Sequence, residues 1–149
     1  NALLALSMQA GNQILLVDVS DPQNRSTIAT IDVGVQPWHP AFNNDGSKLY
    51  VGNNGSNSVS VIDVFSRSVE TNIVGDGLAQ PHGLVFSDRG YLYVSSRNLS
   101  GAYIPRHDFG DNGNDGTIAV IDASSHEIIK VLEVGRFASG LSLSESPKQ

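Results

Sequence analysis

The chain has 149 residues, of which 40% are hydrophobic and 16% charged, with 15 Gly, four His, no Cys and a formal net charge of −6. With a pI near 4.9 it lacks the basic face that displaces counterions from phosphate, which excludes a nucleic-acid groove. The absence of Cys excludes disulfides, thiol catalysis, thiolate metal sites and haem attachment through C-x-x-C-H within these residues. No apolar run approaches the ~18 residues of a membrane span. The opening Asn1–Met8 stretch is apolar, but it is short and lacks a basic flank, so it does not read as a signal peptide. The first residue is Asn rather than Met, so either upstream residues have been removed or this is a piece of a longer protein. Low charge with many Gly, Asn, Ser and Asp predicts an all-β chain of short strands and tight turns.

In chain order, "LLALSMQA" (3–10), "QILLVDV" (13–19) and "STIATIDVG" (26–34) read as three strands. Four more follow: "HPAFNN" (39–44), "KLYVGNN" (48–54), "SVSVIDV" (58–64) and "SVETNIVG" (68–75). The pattern then repeats as "HGLVFS" (82–87), "YLYVSSR" (91–97), "TIAVIDA" (117–123) and "EIIKVLEV" (127–134), and "SGLSLS" (139–144) opens a further copy. Asn44-Asp45-Gly46 and Asp88-Arg89-Gly90 supply turn residues that tolerate positive φ. Apolar-apolar-Asp-small recurs with Asp18, Asp63 and Asp122, 45 and then 59 residues apart. A period near 45 residues with four strands per unit is that of a β-propeller blade. No stretch carries a capped 3.6-residue period, so almost no helix is expected.

"KLYVGNNGSNSVSVIDV", "QPHGLVFSDRG" and "YLYVSSRN" followed by "GTIAVIDA" resemble the YVTN-type β-propeller repeat of surface-layer and YncE-like proteins, over residues 3 to 144. The resemblance implies rings of six to eight blades, in a family that includes binding scaffolds, cell-surface proteins and relatives of redox enzymes. On it the chain is a single propeller segment: the outer three strands of one blade over 3–34, a full blade over 37–75, a full blade over 81–135 with an inserted loop at 99–116, and one innermost strand at 139–144. Three blades' worth of strands cannot close a ring. Closure therefore needs the rest of a longer polypeptide, which is the favoured expectation, or further copies, and the isolated chain is not expected to be a stable monomer. The expected setting is periplasmic, extracellular or cell-surface.

Several residues stand out. His39 and His82 begin innermost strands, out of register by one residue: Trp38 aligns with His82, His39 with Gly83, and Ser139 takes the third place. Imidazoles at a channel mouth would bind a metal or, as in redox relatives of the resembled family, haem. The broken register instead favours His side chains that bond backbone where that strand begins. Arg97 would reach a substrate carboxylate or phosphate, or pair with Asp88 or Asp108. The insertion "LSGAYIPRHDFGDNGNDG" (99–116) accounts for the longer spacing, and loops of this length inside a compact unit are usually functional or disordered. Tyr103, Ile104, Pro105, Arg106, His107 and Phe109 either pack it on the blade or dock a protein partner. Asp108, Asp111 and Asp115 are weak Ca²⁺ candidates, because Gly113 and the absence of a Glu at the twelfth position break the EF-hand pattern. Asp63 and Asp122 recur with the repeat and are expected to bond turn backbone. Asn24, Asn54 and Asn98 head N-glycosylation sequons that an Asn/Ser-rich chain meets by chance. The expected function is a non-catalytic scaffold that presents loops to a protein partner. The alternatives are a redox-associated propeller holding haem or metal at its channel and a lactonase-like hydrolase.

Overall fold

The computed structural model describes residues 2–107 and 113–144 and contains three antiparallel sheets. The first is β1 (Leu3–Met8), β2 (Gln13–Asp18) and β3 (Ser26–Asp32). The second runs β4 (Pro37–Phe42), β5 (Lys48–Asn53), β6 (Ser58–Asp63), β7 (Ser68–Val74). The third runs β8 (Pro81–Phe86), β9 (Tyr91–Ser96), β10 (Gly116–Asp122), β11 (Glu127–Val134). Each sheet is an up-and-down meander in which consecutive strands pair, as a propeller blade requires. The only helical turn among the described residues is a 3₁₀ turn at Gln9–Gly11, and no described helix is long and apolar enough to cross a membrane.

The ladders superimpose from blade to blade. Asp18, Asp63 and Asp122 each end the third strand of their blade, opposite Leu3, Lys48 and Tyr91. One step before each Asp the outer strand carries an extra residue, with the shifts at Leu16/Val17, Val61/Ile62 and Val120/Ile121. A bulge at the same place in every blade twists the outer strand consistently. The innermost strands share a second bulge, with Pro37 opposite Asn53 and Pro40 opposite Val51, then Pro81 opposite Ser96 and Leu84 opposite Val94. Proline is tolerated there because the innermost strand is an edge that needs no donor toward the axis.

The recurring aspartates bond turn backbone, as expected. Asp18 Oδ1 accepts from Ser20 N (2.9 Å), Asp63 Oδ1 from Ser66 N (2.7 Å) and Asp122 Oδ1 from Ser124 N (2.8 Å). These bonds favour the charged carboxylate and hold all three below the usual range. Asp63 also receives Lys48 Nζ at 2.9 Å, which in turn reaches Glu70 at 2.5 Å.

The core lies between blades. Ile14, Leu16 and Ile31 of the first meet Leu49, Val51 and Ile62 of the second. Tyr50, Val59, Val61 and Ile73 of the second meet Leu92, Val94, Ala119 and Ile121 of the third. Every residue of β6 before Asp63 is buried, because both faces of the middle blade are covered. Each such aliphatic side chain contributes at most about 1.5–3 kcal/mol.

The sequence places an innermost strand at 139–144. The segment carries no strand in the structure, because no described second strand pairs with it. It nonetheless lies against the third sheet: His82 Nδ1 of β8 and Ser95 Oγ of β9 both reach Ser139 O at 3.0 Å.

Candidate functional site

Because each blade is a meander, the connections from first to second strand and from third to fourth lie on one face. The second-to-third connections and the links between blades lie on the other. The first face holds a cleft of about 510 Å³ lined by Lys48, Tyr50, Glu70, Phe86 and His126 among others, where Lys48 pairs with Glu70 and also with Asp63 beside it. The second face gathers Trp38, His39, His82, Arg97 and the inserted loop.

Its first feature is a relay of side chains onto the innermost strands. His39 Nδ1 lies 3.1 Å from the His82 carbonyl oxygen and His82 Nδ1 lies 3.0 Å from the Ser139 carbonyl oxygen. A carbonyl only accepts, so each Nδ1 carries the hydrogen, and in the neutral form of either ring the lone pair is on Nε2. The backbone role expected of the two His is thus what their geometry provides. Ser7 makes the same contact one blade earlier, donating to Trp38 O. The rings also touch: His82 lies 4.2 Å from Trp38 and 5.1 Å from His39, centroid to centroid. Burial pushes the His82 imidazole below its ordinary value, His39 and Arg97 push the same way, and the bond to Ser139 opposes them.

Arg97 leaves β9 toward the link that follows β11. Its guanidinium carbon sits 5.6 Å from the Phe137 ring centre, and Arg136 reaches the same ring at 5.5 Å. Arg97 forms no ion pair with a described residue, and its buried Nε has no hydrogen-bond partner there. The expected pairing with Asp88 is therefore absent, and Asp108 lies outside the described residues. Asp88 instead receives Asn44 Nδ2 at 3.2 Å.

The inserted loop is fastened at two points. Asn98, fully buried, donates through Nδ2 to Tyr103 O (2.9 Å) and Asp115 O (3.0 Å) and accepts from Tyr103 N (2.9 Å), so one amide closes the neck. Commitment of this Nδ2 also removes the Asn98 sequon from glycosylation in the folded chain. The second fastening is Glu133 on β11, to which sequence reasoning assigned no role. Its carboxylate accepts from Tyr103 OH (2.8 Å), Arg106 N (2.5 Å) and His107 N (3.0 Å), and meets His107 Nδ1 at 2.5 Å. The Arg106 amide and the other donors hold this carboxyl at about 2, while burial beside Glu133 pushes the Tyr103 phenol up to about 12.

Tyr103 is therefore buried packing and does not belong to a docking surface, whereas Ile104 is 84% exposed beside it. Pro105 is half-buried, and Arg106 and His107 are exposed, with Arg106 3.9 Å from Asp76. Phe109, Asp108 and Asp111 lie outside the described residues. Asp115 is buried, and neither carboxylate oxygen meets a hydrogen-bond partner among the described residues. Among the described residues no three His, Asp or Glu converge as a metal site.

No protein-family model matches the chain, and no curated protein matches it. Solved structures do. The chain is similar to Kuenenia stuttgartiensis hydrazine synthase at 23% identity and TM-score 0.59, over 89% of this chain and 46% of that one. It is similar to a functionally unknown protein of Desulfotomaculum acetoxidans at 15% identity and TM-score 0.68, over 91% and 39%. It is also similar to dihydro-heme d1 dehydrogenase NirN, solved in complex with DHE, at 16% identity and TM-score 0.67, over 90% and 26%. The chain thus spans less than half the length of each. Likenesses at this identity show the fold, a partial β-propeller, and nothing finer.

Proposed function

We propose that the chain is a propeller segment of the YVTN type that serves as a binding scaffold in an exported or cell-surface assembly, presenting its inserted loop to a protein partner. The observation that carries this reading is the double fastening of the loop by Asn98 and Glu133, which leaves Ile104 84% exposed on a rigid support. Holding an apolar side chain out in one conformation lowers the ordering cost of a later contact. The Cys-free composition is compatible with export. A photo-crosslinking residue at position 104 in the source cells should give one stoichiometric protein adduct. The same residue at position 65, exposed on the opposite face, should give none. Equal labelling from both positions, or none from 104, would overturn the reading.

A second reading is a redox-associated propeller with a metal or haem at the axis. It is favoured by one feature, the two neighbouring rings whose Nδ1 hydrogens are committed to backbone, a constraint that also orients ligating imidazoles. The residues His39 and His82 would supply Nε2 donors, and the group would supply the electron chemistry. A visible absorption band or a bound transition metal in purified material, lost in His82→Ala, would favour this reading, whereas a colourless, metal-free preparation would remove it.

A further inference from the structure

The cleft on the first face lies where the second and third blades meet, and both of these carry all four strands. The junction of the first and second blades repeats the same frame and serves as its control. In the turn after the third strand, Arg67 and His126 stand four residues beyond Asp63 and Asp122. Both have left-handed φ, 58° and 60°, and each donates its amide to that Asp carbonyl. Their side chains therefore leave the backbone alike. Arg67 spans the first junction and donates through Nη1 to Ile28 O at 3.2 Å, on the bulged residue of β3. His126 is too short for that span. Its ring meets Tyr50 instead, 6.5 Å between centroids at 71°, and no described residue hydrogen-bonds to it. The second junction is open where the first is bridged.

The donors in the opening are uncommitted. Tyr50 is 1% exposed and lines the cleft at its floor, stacked on Phe86 at 5.6 Å. Its hydroxyl has no hydrogen-bond partner among the described residues. Burial pushes the phenol up, so the hydroxyl keeps its hydrogen. A buried donor without a partner is costly, and this one faces a cleft through which an acceptor can reach it. Arg89, exposed at the rim, forms no ion pair with a described residue. The acids are the opposite case. Glu70 receives Lys48 Nζ, and Asp122 receives Ser124 N, Ser124 Oγ and Ser125 N. These donors do not belong to the repeat. At the first junction Ala5 and Asp45 stand in the places of Tyr50 and Arg89.

We propose that this cleft binds a small carboxylate with an aromatic body, its oxygens on Arg89, His126 and the Tyr50 hydroxyl and its ring beside Phe86. Donors without acceptors select a ligand that only accepts, and a guanidinium fork matches a carboxylate in geometry as well as charge. Lys48 and Arg89 offset the charges of Glu70 and Asp122, so the cleft carries no net negative charge against an anion. A volume of about 510 Å³ lies within the range of small-molecule sites. The stacked Tyr50 and Phe86 rings offer a flat ligand a further aromatic contact. The inference is independent of the inserted loop, which lies on the other face.

Benzoate is the probe, followed by NMR on the full chain. Saturable shifts should appear at Tyr50, Arg89 and His126 and not at Trp38 or Arg97 on the other face. Benzamide, of the same shape without the charge, should bind about tenfold more weakly or worse. Arg89→Gln should weaken benzoate by about tenfold or more, and Tyr50→Phe several-fold. Both variants should fold, because Arg89 is exposed and Phe keeps the shape of the Tyr ring. Arg97→Gln should leave the affinity unchanged. Absence of saturable binding, shifts centred on Trp38 or Arg97, equal affinity for benzamide, or full affinity in Arg89→Gln would each overturn the proposal.

Discussion

Glu133 occupies the outer-strand position that Asp32 fills in the first blade, but it gathers four donors from a segment 26 to 30 residues away in sequence. Its carboxyl is depressed to about 2 from an ordinary 4.5. A depressed acid contributes in full above its unfolded value and loses that contribution as pH falls through the folded one. The fastening should thus persist above about pH 4.5 and weaken between there and pH 2. In Glu133→Ala the amides of Arg106 and His107 should exchange with solvent more than about tenfold faster at neutral pH, with the strands of the third blade unaffected. Amide exchange by mass spectrometry checks this, and unchanged protection would show the loop to be held elsewhere. His82 offers a second check at this scale. Its pKa is lowered, chiefly by burial, so the neutral ring is favoured, and its contribution is complete above about 6.5 and lost on acidification. Its NMR titration should fall below 6.5 with the hydrogen on Nδ1, and a midpoint above 6.5 would contradict the geometry. The sequence reveals the recurring aspartates because their partners are two or three residues away. It conceals Glu133, because nothing local marks which outer-strand carboxylate a returning loop will find.

At the scale of the strand, eleven elements are legible because alternation, turn chemistry and repetition all agree. The twelfth shows the limit of such reading. Residues 139–144 have the pattern of an innermost strand, yet strand geometry is a property of a pair, and without a second strand the pattern yields an extended segment held by side chains. Gly83 tests how that segment is held. Its φ does not demand glycine, but a methyl group there would meet the Ser139 carbonyl at 2.3 Å and Ser95 Oγ at 2.9 Å. Backbone cannot yield as a flexible side chain can, so Gly83→Ala should expel residues 138–141 from the third blade. The expected readout is faster proteolysis of the C-terminal segment, together with loss of the hydrogen bond that orients His82, while the Gly90→Ala control, which meets nothing within 4 Å, leaves the segment protected. The Gly90 change carries its own backbone strain at φ of 81°, so any effect it has should be confined to its hairpin.

Across the whole molecule, stability should follow the order in which blades are covered. The middle blade packs on both faces, and β5 and β6 hold the most continuous run of buried residues. The first and third pack on one face each, as in a short solenoid whose units touch only their neighbours. Ile62→Ala, at a fully buried position between the first two blades, should cost about 2–5 kcal/mol, a large part of the 5–15 kcal/mol typical of a domain. Leu6→Ala should cost far less, because Leu6 is already 41% exposed. Denaturant unfolding of the two variants measures both losses. Amide protection should follow the same order, greatest in β5 and β6 and lower in β1–β3, because strands with less buried apolar contact open at lower free energy. Protection of β1 equal to that of β6, together with equal losses in the two variants, would mean that coverage by neighbouring blades does not set the stability of a blade.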